Sequence, residues 1–151
     1  MGFILSKMGR EYYEEIDKRK DGGKKFDYIF DIYYLGLLVG FSLSRLGNES
    51  DLENEDFIKN YPGNYDNISN IISGLLIDAE MRRRDIKKED RNSIEKLIVE
   101  LISKRALGLS DEGMNKLNLY SAGGMNYIKD HIPKTEKLEI FLVNVYKEIN
   151  L

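Results

Sequence analysis

The chain has 151 residues, 42% hydrophobic and 32% charged, with 26 acidic and 23 basic side chains for a formal net charge of −3. That length suits one domain able to bury a core unaided, and with only two prolines the composition excludes wholesale disorder. Cysteine is absent, which removes disulfides, thiolate nucleophiles and thiolate metal sites, and the mildly acidic balance gives no global attraction to nucleic acid or anionic membrane.

At the N-terminus the apolar run Phe3 to Leu5 is too short for the core of a signal peptide. Gly2 followed by Ser6 matches a myristoylation pattern superficially, but a composition rich in Lys, Asn, Ile and Asp resembles that of an AT-rich bacterial genome, where the modification is not expected. Absent cysteine fits a reducing compartment and secretion is not expected, so a cytoplasmic location is the expectation. The first helix is predicted over 7–20, with Tyr12, Tyr13 and Ile16 on one stripe and a stop at Asp21-Gly22-Gly23. The second, over 26–46, is apolar almost all round: Phe26, Ile29, Phe30, Tyr33, Leu37, Val39 and Phe41 cannot share one face, so it should be the surrounded helix of a bundle, ending at Gly47-Asn48. Its apolar stretch 32–43 falls short of the roughly 20 residues that a membrane span needs, so no membrane association is expected. Gly36, Gly40 and Ser44, four apart within it, stack small residues where another backbone can approach closely; tight packing inside the chain is the first expectation and self-association or a partner groove the second.

Residues 49–65 read as an acidic, turn-rich loop, the longest connection, closing in the turn Tyr61-Pro62-Gly63-Asn64. A third helix should start near Asp66, with Ile68, Ile71, Ile72, Leu75, Leu76 and Ala79 facing the core, and run out in the charged stretch 82–91. Asp90 can cap a fourth, whose stripe is Ile94, Leu97, Ile98, Leu101 and Ile102, ending at Gly108. Ser110, with Asp111 and Glu112, opens a fifth carrying Met114, Leu117, Leu119 and Tyr120. Gly123-Gly124 should kink or break it before Tyr127 and Ile128 continue to His131 and Pro133. Thr135 caps the last helix, with Leu138, Phe141, Leu142, Val145 and Ile149 facing inward. No alternating strand and no internal repeat is evident. The expectation is an all-α fold: one compact domain, 1–151, made of a bundle of about five to six helices.

Little here carries catalytic chemistry. His131 is the sole histidine, which rules out any multi-histidine constellation, and a helix C-terminus is where an imidazole is favoured for structural reasons. The acidic loop lacks calcium-loop spacing, no Glu-x-x-His pair is present, and Gly22-Gly23-Lys24-Lys25 lacks the Walker spacing, so neither a metal nor a cofactor is expected. Glu95-Lys96 lies in a helical pattern rather than on the adjacent strands of a nuclease sheet. Two basic clusters remain. Lys18, Arg19, Lys20, Lys24 and Lys25 crowd the first junction; Arg82, Arg83, Arg84, Lys87, Lys88 and Arg91 crowd a later one, diluted by Asp85, Glu89 and Asp90. An ordinary solvated surface accounts for the second cluster first, phosphate contact with nucleic acid next, and an acidic protein partner last.

Tyr120-Ser121-Ala122-Gly123-Gly124, followed by Tyr127-Ile128, resembles the Tyr-Ala-x-Gly-Gly segment of small helical proteins that accompany bacterial DNA phosphorothioation (Dnd) and related phage-defence systems. In that segment Ser121 replaces the more usual Ala, and the aromatic helix from Phe30 to Phe41, with Gly40 inside it, is similar to a helix of the same family. The resemblance implies a non-enzymatic accessory subunit working with larger defence proteins, and it brings no catalytic residues. On physical grounds a Gly-Gly between apolar helical halves lets a backbone come close, and Tyr120 or Tyr127 beside it would serve either as an interface anchor or simply as core.

The leading expectation is therefore a helical protein-interaction subunit of a bacterial defence or DNA-processing complex, not an enzyme. Gly36, Gly40, Tyr120, Gly123, Gly124 and Tyr127 are its candidate interface, and its partners are larger protein subunits or a second copy of the chain. The alternative is a nucleic-acid-binding domain that uses the 82–91 cluster.

Overall fold

The computed structural model describes residues 1–17, 29–132 and 138–149, and among them it contains seven α-helices, one 3₁₀ turn and no β-sheet. These are α1 (Lys7–Asp17), α2 (Ile29–Leu43), α3 (Gly63–Asp66), α4 (Ser69–Arg83), α5 (Arg91–Leu101), α6 (Asp111–His131) and α7 (Leu138–Ile149), with the 3₁₀ turn at Glu49–Asp51. The all-α expectation holds, and the additional helix is the single turn α3. The expected helix stop at 21–23, the Thr135 cap, Pro133, Phe26 and the cluster Lys18, Arg19, Lys20, Lys24 and Lys25 lie outside the described residues.

The bundle is organised around α2 and α6, which pack along each other, with α1, α4 and α5 laid against them. α2 takes the centre because its apolar residues leave no polar face: Phe30, Ile32, Tyr33, Leu37, Val39 and Phe41 point to different neighbours and are all buried. α6 is held on its other sides by Met114, Leu117, Met125 and Ile128, also buried. α4 contributes Ile72, Leu76 and Ala79 to the same core, α5 contributes Leu97 and Leu101, and α1 contributes Tyr12. In α4 the expected stripe holds only in part, since Ile71 is 58% exposed.

Helix ends follow the capping chemistry. Ser110 and Asp90 accept from the backbone N–H groups of Gly113 and Ser93, as N-caps do. Gly47-Asn48 does not end α2. The helix closes at Leu43 with Ser44 in the left-handed region (φ 50°), where Ser44 N–H donates to Phe41 O and Arg45 N–H to Gly40 O. Asp85 (φ 54°) ends α4 the same way, with Asp85 N–H donating to Arg82 O and Ile86 N–H to Met81 O.

The 49–65 connection is built into the fold rather than free. Residues 3–6 run antiparallel beside 52–58: Phe3 N–H donates to Ile58 O, Phe57 N–H to Phe3 O and Glu53 N–H to Leu5 O, each at 2.9 Å. Phe3 and Leu5 are fully buried. Phe3, Phe30, Tyr33, Phe57, Tyr61 and Tyr65 form one aromatic cluster at this end of α2, with neighbouring ring centroids from 4.6 to 6.2 Å apart. The acidic side chains of the loop are also engaged: Glu53 takes a two-pronged contact from Arg10 at 2.9 and 3.2 Å, and Asp51 accepts from Asn126 Nδ2 at 2.9 Å.

Candidate interaction surface

The glycines offered as an interface are used up inside the molecule. Gly36, Gly40, Gly123 and Gly124 are all buried at the crossing of α2 and α6. A Cβ on Gly124 would run into the carbonyl oxygen of Gly36, one on Gly40 into that of Tyr120, and one on Gly123 into that of Arg45. Backbone is thus packed on backbone, and Ser121 Oγ adds a hydrogen bond across the crossing to Tyr33 O at 2.8 Å. No surface remains there for a partner, so the first of the two expectations for the Gly36/Gly40 stripe is the correct one. Gly123-Gly124 also does not interrupt its helix. α6 runs unbroken from Asp111 to His131, because the glycines are needed for close approach and not for bending. Gly47 belongs to the same device: its N–H donates to Leu119 O at 2.7 Å as the chain leaving α2 passes over α6.

Tyr120 is fully buried against Phe41 and serves no surface role. Tyr127 alone of the six candidates reaches the surface, and it is occupied there. His131 stacks on its ring at 3.9 Å, the Arg45 guanidinium lies 5.6 Å from the ring centroid, and its hydroxyl donates to Glu148 on α7 at 3.0 Å. His131 Nδ1 sits 3.1 Å from Tyr127 O, the helix-end role expected of it.

The basic cluster separates into two kinds of residue. Glu80 is completely buried on α4 and is met by Arg83 at 2.7 and 2.9 Å, by Arg84 at 2.7 and 2.8 Å and by the Tyr120 hydroxyl at 2.6 Å. Burial alone would push this carboxyl up, but hydrogen bonds from Arg83, Tyr120 and Arg84, with the charge of Arg83, outweigh it and hold the group at about 2. Burial, then the neighbouring carboxylate, pushes the Tyr120 hydroxyl well above its ordinary range. Arg84 reaches on to Glu100 of α5 at 2.8 Å, and Arg82 donates to Asp78 and to the Phe41 carbonyl that ends α2. These three arginines tie α4 to α2, α5 and α6 while remaining exposed residues, so part of the charge expected for a phosphate-binding face is spent on contacts within the chain. Lys87, which pairs with Asp85, and Lys88 and Arg91 stay exposed on the turn. The sequence signal for this network was present in the spacing of Glu80 with Arg83 and Arg84, three and four residues on.

α7 carries the surface that the sequence reading missed. Leu138, Phe141 and Val145 turn inward, where Phe141 packs on Tyr12 with ring centroids 5.5 Å apart. The opposite side shows Ile140 at 49%, Val143 at 51% and Tyr146 at 67% exposure. Leu142, expected to face inward, is 40% exposed. The signal lies in the second apolar set of α7, Ile140, Val143 and Tyr146, which recurs every three residues on the side opposite its inward stripe. On α5, Val99 is also exposed, beside an open depression lined with Asn92, Glu95 and Lys96.

Among the described residues no three His, Asp or Glu side chains gather as a metal site, and no helix is long and apolar enough to cross a membrane. Compared with known proteins, the chain matches no protein-family model, no curated protein and no solved structure.

Proposed function

We propose that this chain is a non-enzymatic helical accessory subunit that works by binding protein, and that its docking surface is the outer face of α7. One observation carries the reading: a helix anchored by Leu138, Phe141 and Val145 presents Ile140, Val143 and Tyr146, each about half exposed or more, on its other side. Surface apolar residues scattered singly need no explanation, but three on successive turns of one helix form a strip of the kind that partners cover. The resemblance of Tyr120 to Gly124 to proteins of phage-defence systems supports placing this subunit in a bacterial defence or DNA-processing complex, in the reducing interior of the cell, beside larger proteins.

The test is affinity purification of the tagged chain from its native host, with nuclease-treated and untreated lysates compared and proteins identified by mass spectrometry. A defined protein recovered after nuclease treatment by the native chain, and lost with Val143→Glu, is the expected result. Recovery of nucleic acid alone, or of proteins indifferent to Val143→Glu, would overturn the assignment; the former would turn attention to Lys87, Lys88 and Arg91.

A further inference from the structure

We infer that the outer face of α7 pairs with the same face of a second copy of this chain, in an antiparallel arrangement with its two-fold axis at Val143. The inference rests on the reading of α7 as a docking surface and names its occupant. At 3.6 residues per turn, Val143 lies at the centre of the exposed face, opposite the inward Phe141 and Val145. Ile140 and Tyr146 flank it three residues to either side, and Glu139 and Lys147 lie one turn before and one turn after it. All five are exposed.

The order of these side chains selects the pairing. In an antiparallel pair centred on Val143, a residue a given number of positions before the axis meets the one equally far after it on the other copy. Ile140 then faces the other copy's Tyr146, and Glu139 faces its Lys147, each contact made twice by symmetry. A parallel pair would set Glu139 against Glu139 and Lys147 against Lys147, which like-charge repulsion disfavours. The apolar centre with opposite charges at its two ends is thus self-complementary in one orientation only. A single 12-residue helix buries less than the roughly 800 Å² per partner of a standard interface, so the association is weak and concentration-dependent, with Kd in the micromolar range or above.

Sedimentation equilibrium of the full chain from roughly 5 to 500 µM tests this. The native chain should move from monomer to dimer across that range, and Val143→Glu should remain monomeric. Glu139→Lys and Lys147→Glu should each weaken association about tenfold at low salt, because each sets like charges at both ends. An equimolar mixture of those two variants should associate again, since one copy then carries two lysines and the other two glutamates. All three positions are exposed, so thermal melts of the variants should overlay that of the native chain. A native chain that stays monomeric, a dimer unaffected by Val143→Glu, or a mixture that fails to re-associate would overturn the pairing. Were the chain monomeric while a different protein from the host still depended on Val143, docking through α7 would stand and only the identity of its occupant would fall; if nothing depended on Val143, both would fall.

Discussion

The hydroxyl of Tyr120, in the middle of α6, donates to the carboxylate of Glu80, on α4, at 2.6 Å, and neither side chain is exposed to solvent. This bond joins two helices and is made to a charged acceptor, which puts its worth at about 2 kcal/mol. Tyr120→Phe should therefore lower Tm by roughly 4–8 °C without changing the fold. Tyr61 supplies the control. Its hydroxyl is buried with no hydrogen-bond partner among the described residues, and burial pushes it up to about 12. Tyr61→Phe removes a group that gains nothing from being there, so its melt should be unchanged or rise by the equivalent of about 1 kcal/mol. Thermal unfolding followed by circular dichroism distinguishes the two; equal losses would contradict the assignment of partners.

Glu80 also sets the response to acid. Its folded value, about 2, lies below the ordinary 4.5. The unfolded chain therefore binds this proton more readily than the folded one, and stability falls as the pH drops through that interval. The contribution is complete above about pH 5, is lost progressively toward pH 2, and is on the order of 3 kcal/mol. Urea denaturation at intervals between pH 6 and pH 2.5 should show the native chain losing stability more steeply than Glu80→Gln, which has no carboxyl to protonate. Parallel curves would assign the acid response to other carboxylates.

How far the sequence foretold the site depends on what kind of signal each residue left. The helical stripes and the caps at Asp90 and Ser110 were legible because they rest on local spacing, which survives without tertiary knowledge. Gly36 and Gly40 announced a close backbone approach but not whose backbone, since four-residue spacing is the same for a helix within the chain and one outside it. Only the carbonyls of Tyr120 and Ser121 opposite them settle that the neighbour is α6. Glu80 was hidden among basic residues that drew attention to themselves as a cluster, when three of those arginines are held by their own helix and its neighbours. The pairing of residues 3–6 with 52–58 was illegible because each strip is too short to alternate, and the partners lie some fifty residues apart in the chain.

Alanine should act with one sign at Gly124 and Gly40, in the crossing, and with the opposite sign at Gly74, outside it. Gly124→Ala would force a methyl into the Gly36 carbonyl, and Gly40→Ala one into that of Tyr120; backbone on both sides cannot yield, so each should cost about 3 kcal/mol or more. Gly74, within α4, has no neighbouring atom within 4 Å of an added Cβ. Gly74→Ala should stabilise by about 0.5–1 kcal/mol through the entropy it removes from the unfolded chain. Chemical denaturation of the three variants gives the comparison; a neutral Gly124→Ala would mean that α2 and α6 do not cross where described.

Asn118 on α6 is the polar anchor of the N-terminal segment. Its Oδ1 accepts from Ile4 N–H at 3.0 Å and from the Tyr33 hydroxyl at 2.7 Å, while its Nδ2 donates to Gly2 O at 3.2 Å. Asn118→Leu conserves volume and leaves all three partners without a bond in a place closed to water, a loss of about 3 kcal/mol overall. The effect should also be local. The amide of Ile4 depends on Asn118, whereas that of Phe3 donates to Ile58 O and keeps its partner. Hydrogen exchange resolved to single amides should then accelerate about tenfold or more at Ile4 and less at Phe3. Equal acceleration at both would mean that the segment 3–6 opens as one unit with 52–58, and that Asn118 holds the pair of strips against the bundle rather than fixing one amide.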